Sequence, residues 1–395
     1  RCLLHEKPFD GVNGSGKHNN WSLTTDDGIN LLDPGLTPHQ NIQFLMVLCC
    51  ILKAVDEHAD LLRESAADVG NEARLGGNEA PPVIISVFLG DQLEDVMRQL
   101  RSSGSATSSI DRGKLQTGVT VLRDVFRDAT DRNRTSPFAF TGNKFEFRMV
   151  GSRDSIAGAN TVLNTIVADA FSQTCDRLEA AGKEGFDAAV HDLIKEYAMR
   201  HSRIIFNGNG YSDEWAKEAE KLGLSNIPSM VDAIPVLTEE KSVRLFDKYG
   251  VFSKAELESR AEVKYELYAK AINIEARTMV QMARREYVPA IIRYITVLAD
   301  SVNATEKCGI ESIVQREMLS SLNEYLRQAQ EACKALAEET QAAEGIDPGP
   351  GQAKAYQKKV VPLMEKLRRP IDQAECIVSR EYWPVPTYAD LLFEV

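Results

Sequence analysis

The 395-residue chain has no long hydrophobic run. Its longest strongly apolar stretch, residues 44–52, falls well short of the ~20 residues a helix needs to cross a bilayer. A basic excess is also missing: 46 Lys and Arg stand against 58 Asp and Glu, a net charge of −12. A general binder of nucleic acid or membrane surfaces would carry a basic face, so neither partner is expected. A local basic pocket for phosphate stays open. There is no disulfide framework. The seven cysteines include an adjacent pair, Cys49 and Cys50, inside the apolar run, and none forms a C-x-x-C pair. Reduced, mostly buried thiols in a cytoplasmic compartment are the expectation. No charged segment followed by an apolar stretch and a small-residue cleavage site opens the chain. The chain begins at Arg1 without a cap or turn, as though sequence had preceded it, and is expected to be the later part of a longer protein.

Hydrophobic residues make up 43% of the chain, enough to build a core and to exclude global disorder. The length exceeds that of a usual single core and suggests two domains, or one with an appendage. Residues 1–235 mix strand and helix signals. Thr37-Pro38-His39-Gln40 reads as a capping box opening a helix to about residue 67. The β-branched run at 83–89 reads as a buried strand, 91–101 as a short helix, 118–122 as a further strand and 145–150 as a better one. After about residue 160 the pattern becomes helical, with segments at 162–181 and 186–201. Ser253-Lys254-Ala255-Glu256 is a second capping box, opening a long helix that Pro289 is expected to kink. A stripe from Ile310 through Val314, Met318 and Leu322 to Leu336 predicts another helix. Asp347-Pro348-Gly349-Pro350-Gly351 breaks it before a last helix at 352–379, giving an antiparallel hairpin. The expected domains are 1–235, a helical region 236–380 and a tail 381–395.

Three segments could carry chemistry. Gly11-Val12-Asn13-Gly14-Ser15-Gly16-Lys17-His18 satisfies G-x-x-x-x-G-K, but His18 stands where a phosphate-binding loop needs Ser or Thr for Mg²⁺. It reads equally as a solvated turn, or as a loop offering backbone groups to a small substrate with His18 free to bind metal. In Lys144-Phe145-Glu146-Phe147-Arg148, strand alternation puts Lys144, Glu146 and Arg148 on one face and Phe145, Phe147 and Met149 on the other. That is an ordinary half-exposed strand, or a carboxylate for Mg²⁺ flanked by cations for phosphate and substrate carboxylate. Arg132 and Arg134 lie just upstream. Arg74-Leu75-Gly76-Gly77-Asn78-Glu79-Ala80-Pro81-Pro82 is a Gly-Gly hinge with a displayed carboxylate, most simply a solvated loop.

Taken together and in order, the KPF-to-GKH segment, NEAPP and NRTSPFAFTGNKFEFR resemble the metal, glutamate and ATP segments of glutamine synthetases. RIIFNGNGY and the terminal WPVPTYADLLFEV are similar to the type III class, and the resemblance runs from end to end. It implies an α+β chain: part of the family's catalytic α/β barrel-like domain, followed by a mainly α-helical carboxy-terminal region. It also implies ligation of ammonia to glutamate through γ-glutamyl phosphate, with ATP as co-substrate, Mg²⁺ or Mn²⁺ as metal, and a homo-oligomer of stacked rings. By the same resemblance His18 and Glu146 are metal ligands. Asn13, Gly14, Arg74 and Arg148 bind substrate, and Asn20, Ser22, Arg134 and Lys144 bind ATP. Glu79 is the base that takes the ammonium proton, and Arg134 meets the transferring phosphate.

Several positions depart from the family pattern. Lys144 stands where relatives often have Arg, Asn20 where other classes have His, and Ala139 where type I enzymes have Arg. The Arg74–Glu79 spacing is one residue short. The family's other metal glutamates precede the KPF segment, so this chain is expected to lack turnover by itself. A ligase for a larger amine and a non-catalytic assembly protein are the competing readings.

Overall fold

The computed structural model describes residues 16–77, 80–110, 135–386 and 390, and the short antiparallel pair Lys114–Leu115 (β3) and Val125–Phe126 (β4) by backbone alone. Two compact units divide at Ser259/Arg260. The described elements are mostly helical with a small mixed sheet, an α+β arrangement.

In the first unit, β1 (Gly16–Trp21) precedes α1 (Ile42–Glu57), α2 (Ala59–Glu64) and α3 (Val69–Glu72). Thr37 makes no capping bond, and Pro38–Gln40 closes as a 3-10 turn. The cap is Asn41, whose Oδ1 accepts from the Phe44 N–H at 3.0 Å. Asn41 directly precedes the helix and stands three residues before the Phe44 amide, as Thr37 does not, which is why the expected box fails. The helix then breaks at His58 instead of running on to residue 67. The apolar run lies in α1, which is buried nearly all round as a core helix. Cys49 and Cys50 are fully buried there, yet Cys175, Cys308 and Cys376 are exposed. Thiols flanking polar helix faces have no core to enter, so the six described cysteines divide evenly, against the expected majority buried.

The run at 83–89 shrinks to β2 (Val87–Phe88), parallel to β5 (Phe138–Phe140); α4 (Asp91–Ser103) follows β2. β5 turns into β6 (Phe145–Gly151), with Gly142 at φ 94° in the connecting turn, where a side chain would be strained. The sheet order is β1-β6-β5-β2. Phe145, Phe147 and Met149 are fully buried. Phe145 stacks on Phe138 at 4.6 Å and meets Phe140 edge-on at 5.2 Å, and Phe44 of α1 closes over Phe140 at 5.9 Å. One face of β6 is therefore core, which pins the register and turns Glu146 to the other side.

α5 (Ala157–Arg200) packs along α1 and is broken at Gly182 (φ 66°, ψ 177°), a conformation other residues rarely adopt. The break separates the two expected helices. Buried Asp56 locks the far end of α5, accepting from Arg203 Nε at 2.8 Å and lying 2.8 Å from His201 Nδ1. α6 (Asp213–Lys221), α7 (Met230–Ala233) and α8 (Glu240–Lys248) complete the unit. α7 packs on α2, and α8 on α5.

α9 (Lys254–Met282) starts with the expected box: Glu256 Oε2 accepts from the Ser253 N–H and Oγ–H, both at 2.8 Å. Division into units falls within this helix. A π turn, Ala283–Tyr287, leads into α10 (Val288–Lys307). Pro289 has no N–H and crowds the carbonyl four residues back, and the widened turn relieves both without ending the rod. Tyr356–Val360, before Pro362, repeats the device between α12 (Pro350–Ala355) and α13 (Val361–Glu375). α11 (Ile313–Glu344) packs against α10 and α13, burying Leu322, Ala329, Ala332 and Leu336. The early stripe residues Ile310 and Val314 are exposed instead, since they precede the packed stretch. Among the described residues no helix is long and apolar enough to cross a membrane.

Candidate functional site

Antiparallel pairing of β1 with β6 brings the first and second candidate segments together. Lys17 lies opposite Val150 but Asn19 opposite Phe147, so two residues of β6, Arg148 and Met149, face the single residue His18. This is a β-bulge, which frees backbone groups from the ladder and re-aims side chains. The freed carbonyls are taken from behind. Arg74 donates through Nη2 to the Arg148 carbonyl at 2.7 Å and through Nη1 to the Met149 carbonyl at 3.1 Å. Asn71 Nδ2 also donates to the Met149 carbonyl, at 2.6 Å, while its Oδ1 accepts from Arg74 Nη1. Gly16 permits this, because a Cβ there would collide with the Arg74 guanidinium.

On the open face, His18 Nδ1 is 3.7 Å from Glu146 Oε2, and Arg148 Nε is 3.2 Å from the same oxygen. Arg148 is buried, Glu146 half-buried, and the His18 ring open to solvent. Partial burial, and then the Arg148 guanidinium, push the His18 imidazole below its ordinary value against the opposing pull of Glu146. A neutral imidazole beside a carboxylate is a metal donor pair. Their separation suits one cation reached by each at about 2.0–2.2 Å. Among the described residues no group of three or more His, Cys, Asp and Glu could hold a metal ion, so the pair fits part of a coordination shell. His18 lies within a strand, not at the start of a helix, and this rules out the phosphate-binding-loop reading of the Gly-rich segment.

Asn20 lies opposite Glu146 in the register, its Nδ2 donating to the His18 carbonyl at 3.3 Å. Ser22 is exposed; its hydroxyl donates to Asn30 Oδ1 at 3.0 Å and reaches the Asn143 carbonyl at 3.3 Å, tying it to the hairpin turn. Lys144 is half-buried at the same end of the sheet. The structure thus gathers His18, Asn20, Glu146 and Arg148, and leaves Ser22 and Lys144 one step along the strands. Arg74 sits buried behind β6. Asn13, Gly14, Glu79 and Arg134 lie outside the described residues, as does the strand expected at 118–122.

Sequence reasoning missed Asn71, Asn160 and Asn164. Asn160 Oδ1 accepts from Asn19 Nδ2 at 2.8 Å, and Asn164 Oδ1 from Trp21 Nε1 at 2.9 Å. Their signal was available: two asparagines four apart share a helix face, where Asn is a poor helix former.

Residues 189–306 match the family model described as Glutamine synthetase C-terminal domain. In this stretch the chain is similar to the glutamine synthetases. Over essentially its whole length it is 41% identical to a glutamine synthetase of Butyrivibrio fibrisolvens and 37% identical to one of Bacteroides fragilis (strain YCH46), covering 56% and 55% of them. It is also 42% identical to a type-3 glutamine synthetase of Dictyostelium discoideum, covering 54% of that protein, so one of these relatives carries the type III name. The chain spans about half the length of these relatives.

Proposed function

We propose that the protein to which this chain contributes is a glutamate–ammonia ligase, forming glutamine in nitrogen assimilation through γ-glutamyl phosphate. One observation carries the reading: His18, Glu146 and Arg148 converge on two paired strands, with the imidazole and the guanidinium both within 3.7 Å of one Glu146 oxygen. His18 and Glu146 hold Mg²⁺ or Mn²⁺ together with donors from elsewhere in the protein. When bound, the cation neutralises ATP phosphate charge for in-line transfer. Arg148, fixed by Glu146, binds the glutamate carboxylate, and Asn13 and Gly14 complete the substrate side; Arg74, expected there, instead holds the β6 carbonyls behind them. Asn20, Ser22 and Lys144 line the nucleotide path, Arg134 meets the transferring phosphate, and Glu79 accepts the ammonium proton. The small mixed sheet belongs, on this reading, to the family's barrel-like catalytic layer. A cytoplasmic homo-oligomer of stacked rings with domain limits near 235 and 380 follows from the same relationship.

The test is glutamine formation by the full protein from glutamate, ammonium and ATP. Glu79→Ala should abolish it while glutamate and ATP still bind; unchanged turnover would remove Glu79 as the base. Faster ligation of ethanolamine or a polyamine than of ammonium would replace the amine assigned here.

A further inference from the structure

We infer that Asn160 and Asn164 of α5 are positioning residues for the metal pair, an inference that rests on reading His18 as a metal ligand. Along β1 the side chains alternate, with Asn19 and Trp21 buried and His18 and Asn20 exposed. The two buried side chains end in polar atoms, Asn19 Nδ2 and Trp21 Nε1, and each has its acceptor on α5. Residues 160 and 164 are one helical turn apart, and Asn19 and Trp21 are one strand repeat apart. Two bonds at matched spacing fix both the height and the roll of β1 over the helix.

This matters because β1 is loosely specified where it crosses the bulge. A regular ladder would fix His18 through its partner's backbone, but here two residues stand opposite it and their carbonyls turn away to Arg74 and Asn71. The aim of His18 therefore depends on its neighbour Asn19 and, through Trp21, on the end of the strand. On the other flank Lys17 Nζ donates to the Asp154 carbonyl. A swing of β1 that a fold could tolerate would still open the His18–Glu146 gap beyond the reach of one cation. α5 reads in this way as the support of the site as well as part of the core.

The experiment measures Mn²⁺ affinity of the protein by electron paramagnetic resonance, with the thermal melt as a fold control. Asn160→Leu and Asn164→Leu should weaken Mn²⁺ binding by about 10–100-fold, the usual cost of losing a support behind a metal ligand. Asn160→Asp and Asn164→Asp keep the acceptor oxygen and should restore affinity to within a few-fold of wild type. If a leucine variant melts too low to study, Trp21→Phe removes the Nε1 donor from the other partner and should give the same loss. Wild-type affinity in folded Asn160→Leu, Asn164→Leu and Trp21→Phe, with His18→Ala impaired, would overturn the positioning role alone. Unchanged affinity in His18→Ala would overturn the metal reading on which it stands.

Discussion

Glu72 makes the stability of the first unit depend on pH in a direction opposite to that of most carboxylates. It sits in α3, immediately after Asn71, and its Oε1 accepts the Met230 N–H that starts α7. Burial pushes its carboxyl up to about 7, the Met230 N–H and Arg63 offsetting only part of the shift. An unfolded Glu titrates near 4.3. Between those values the folded protein binds the proton and the unfolded chain does not. The contribution is complete below the unfolded value and is lost as pH rises through the folded one. A span of about 2.7 units at 1.36 kcal/mol each sets an upper bound of about 3.7 kcal/mol. Glu72→Gln keeps an acceptor oxygen for Met230 and removes the charge. The variant should exceed wild type by only about 1 kcal/mol at pH 5 and by up to about 3.6 kcal/mol at pH 8. Urea unfolding at both pH values, read through the buried Trp21 and Trp215, measures the difference. Other titrating groups cancel between the two proteins. A gap that stays constant with pH, or that grows in favour of wild type, would refute the reasoning.

Asn41→Ala should cost about 0.5–2 kcal/mol through loss of the α1 cap while Thr37→Ala costs almost nothing, a contrast that paired urea titrations can read. Gly16→Ala should destabilise the protein by about 1–3 kcal/mol and lower its melting temperature, because the new Cβ displaces a guanidinium already bonded to two β6 carbonyls. Phe147→Ala should cost about 3–5 kcal/mol by opening a cavity between β6 and its fully buried neighbours.

The sequence was most legible where local chemistry and tertiary demand agree. Ser253 and Glu256 close their box because both partners stand on an exposed helix start. The alternation of β6 survives because Phe145, Phe147 and Met149 have a core to enter. Legibility failed where a better competitor lay a few residues away. Thr37 had the right spacing to Gln40, but the chain turned once more and Asn41 took the amide. The run at 83–89 had strand composition, yet among the described residues only Val87 and Phe88 find strand partners, and Ile84, Ile85 and Leu89 are buried without a ladder.

The site divides along the same line. That Glu146 and Arg148 share a face follows from the period of a strand, and His18 could be paired with them only through the family resemblance. Nothing in either segment announces the bulge that sets them 3.7 Å apart, because its cause is not in those segments. Its carbonyls are held by residues 71 and 74, and the opposing strand by residues 160 and 164. Each of these four side chains looks unremarkable in its own stretch: a short-helix asparagine, a loop arginine, two polar residues on a helix face. Their meaning lies in where their nitrogens and oxygens end, which is a property of the assembled sheet and helix. A motif read from sequence therefore names the groups that meet the reactants. The groups that hold those in place have to be sought among polar side chains whose partners are backbone atoms or side chains of the site strands.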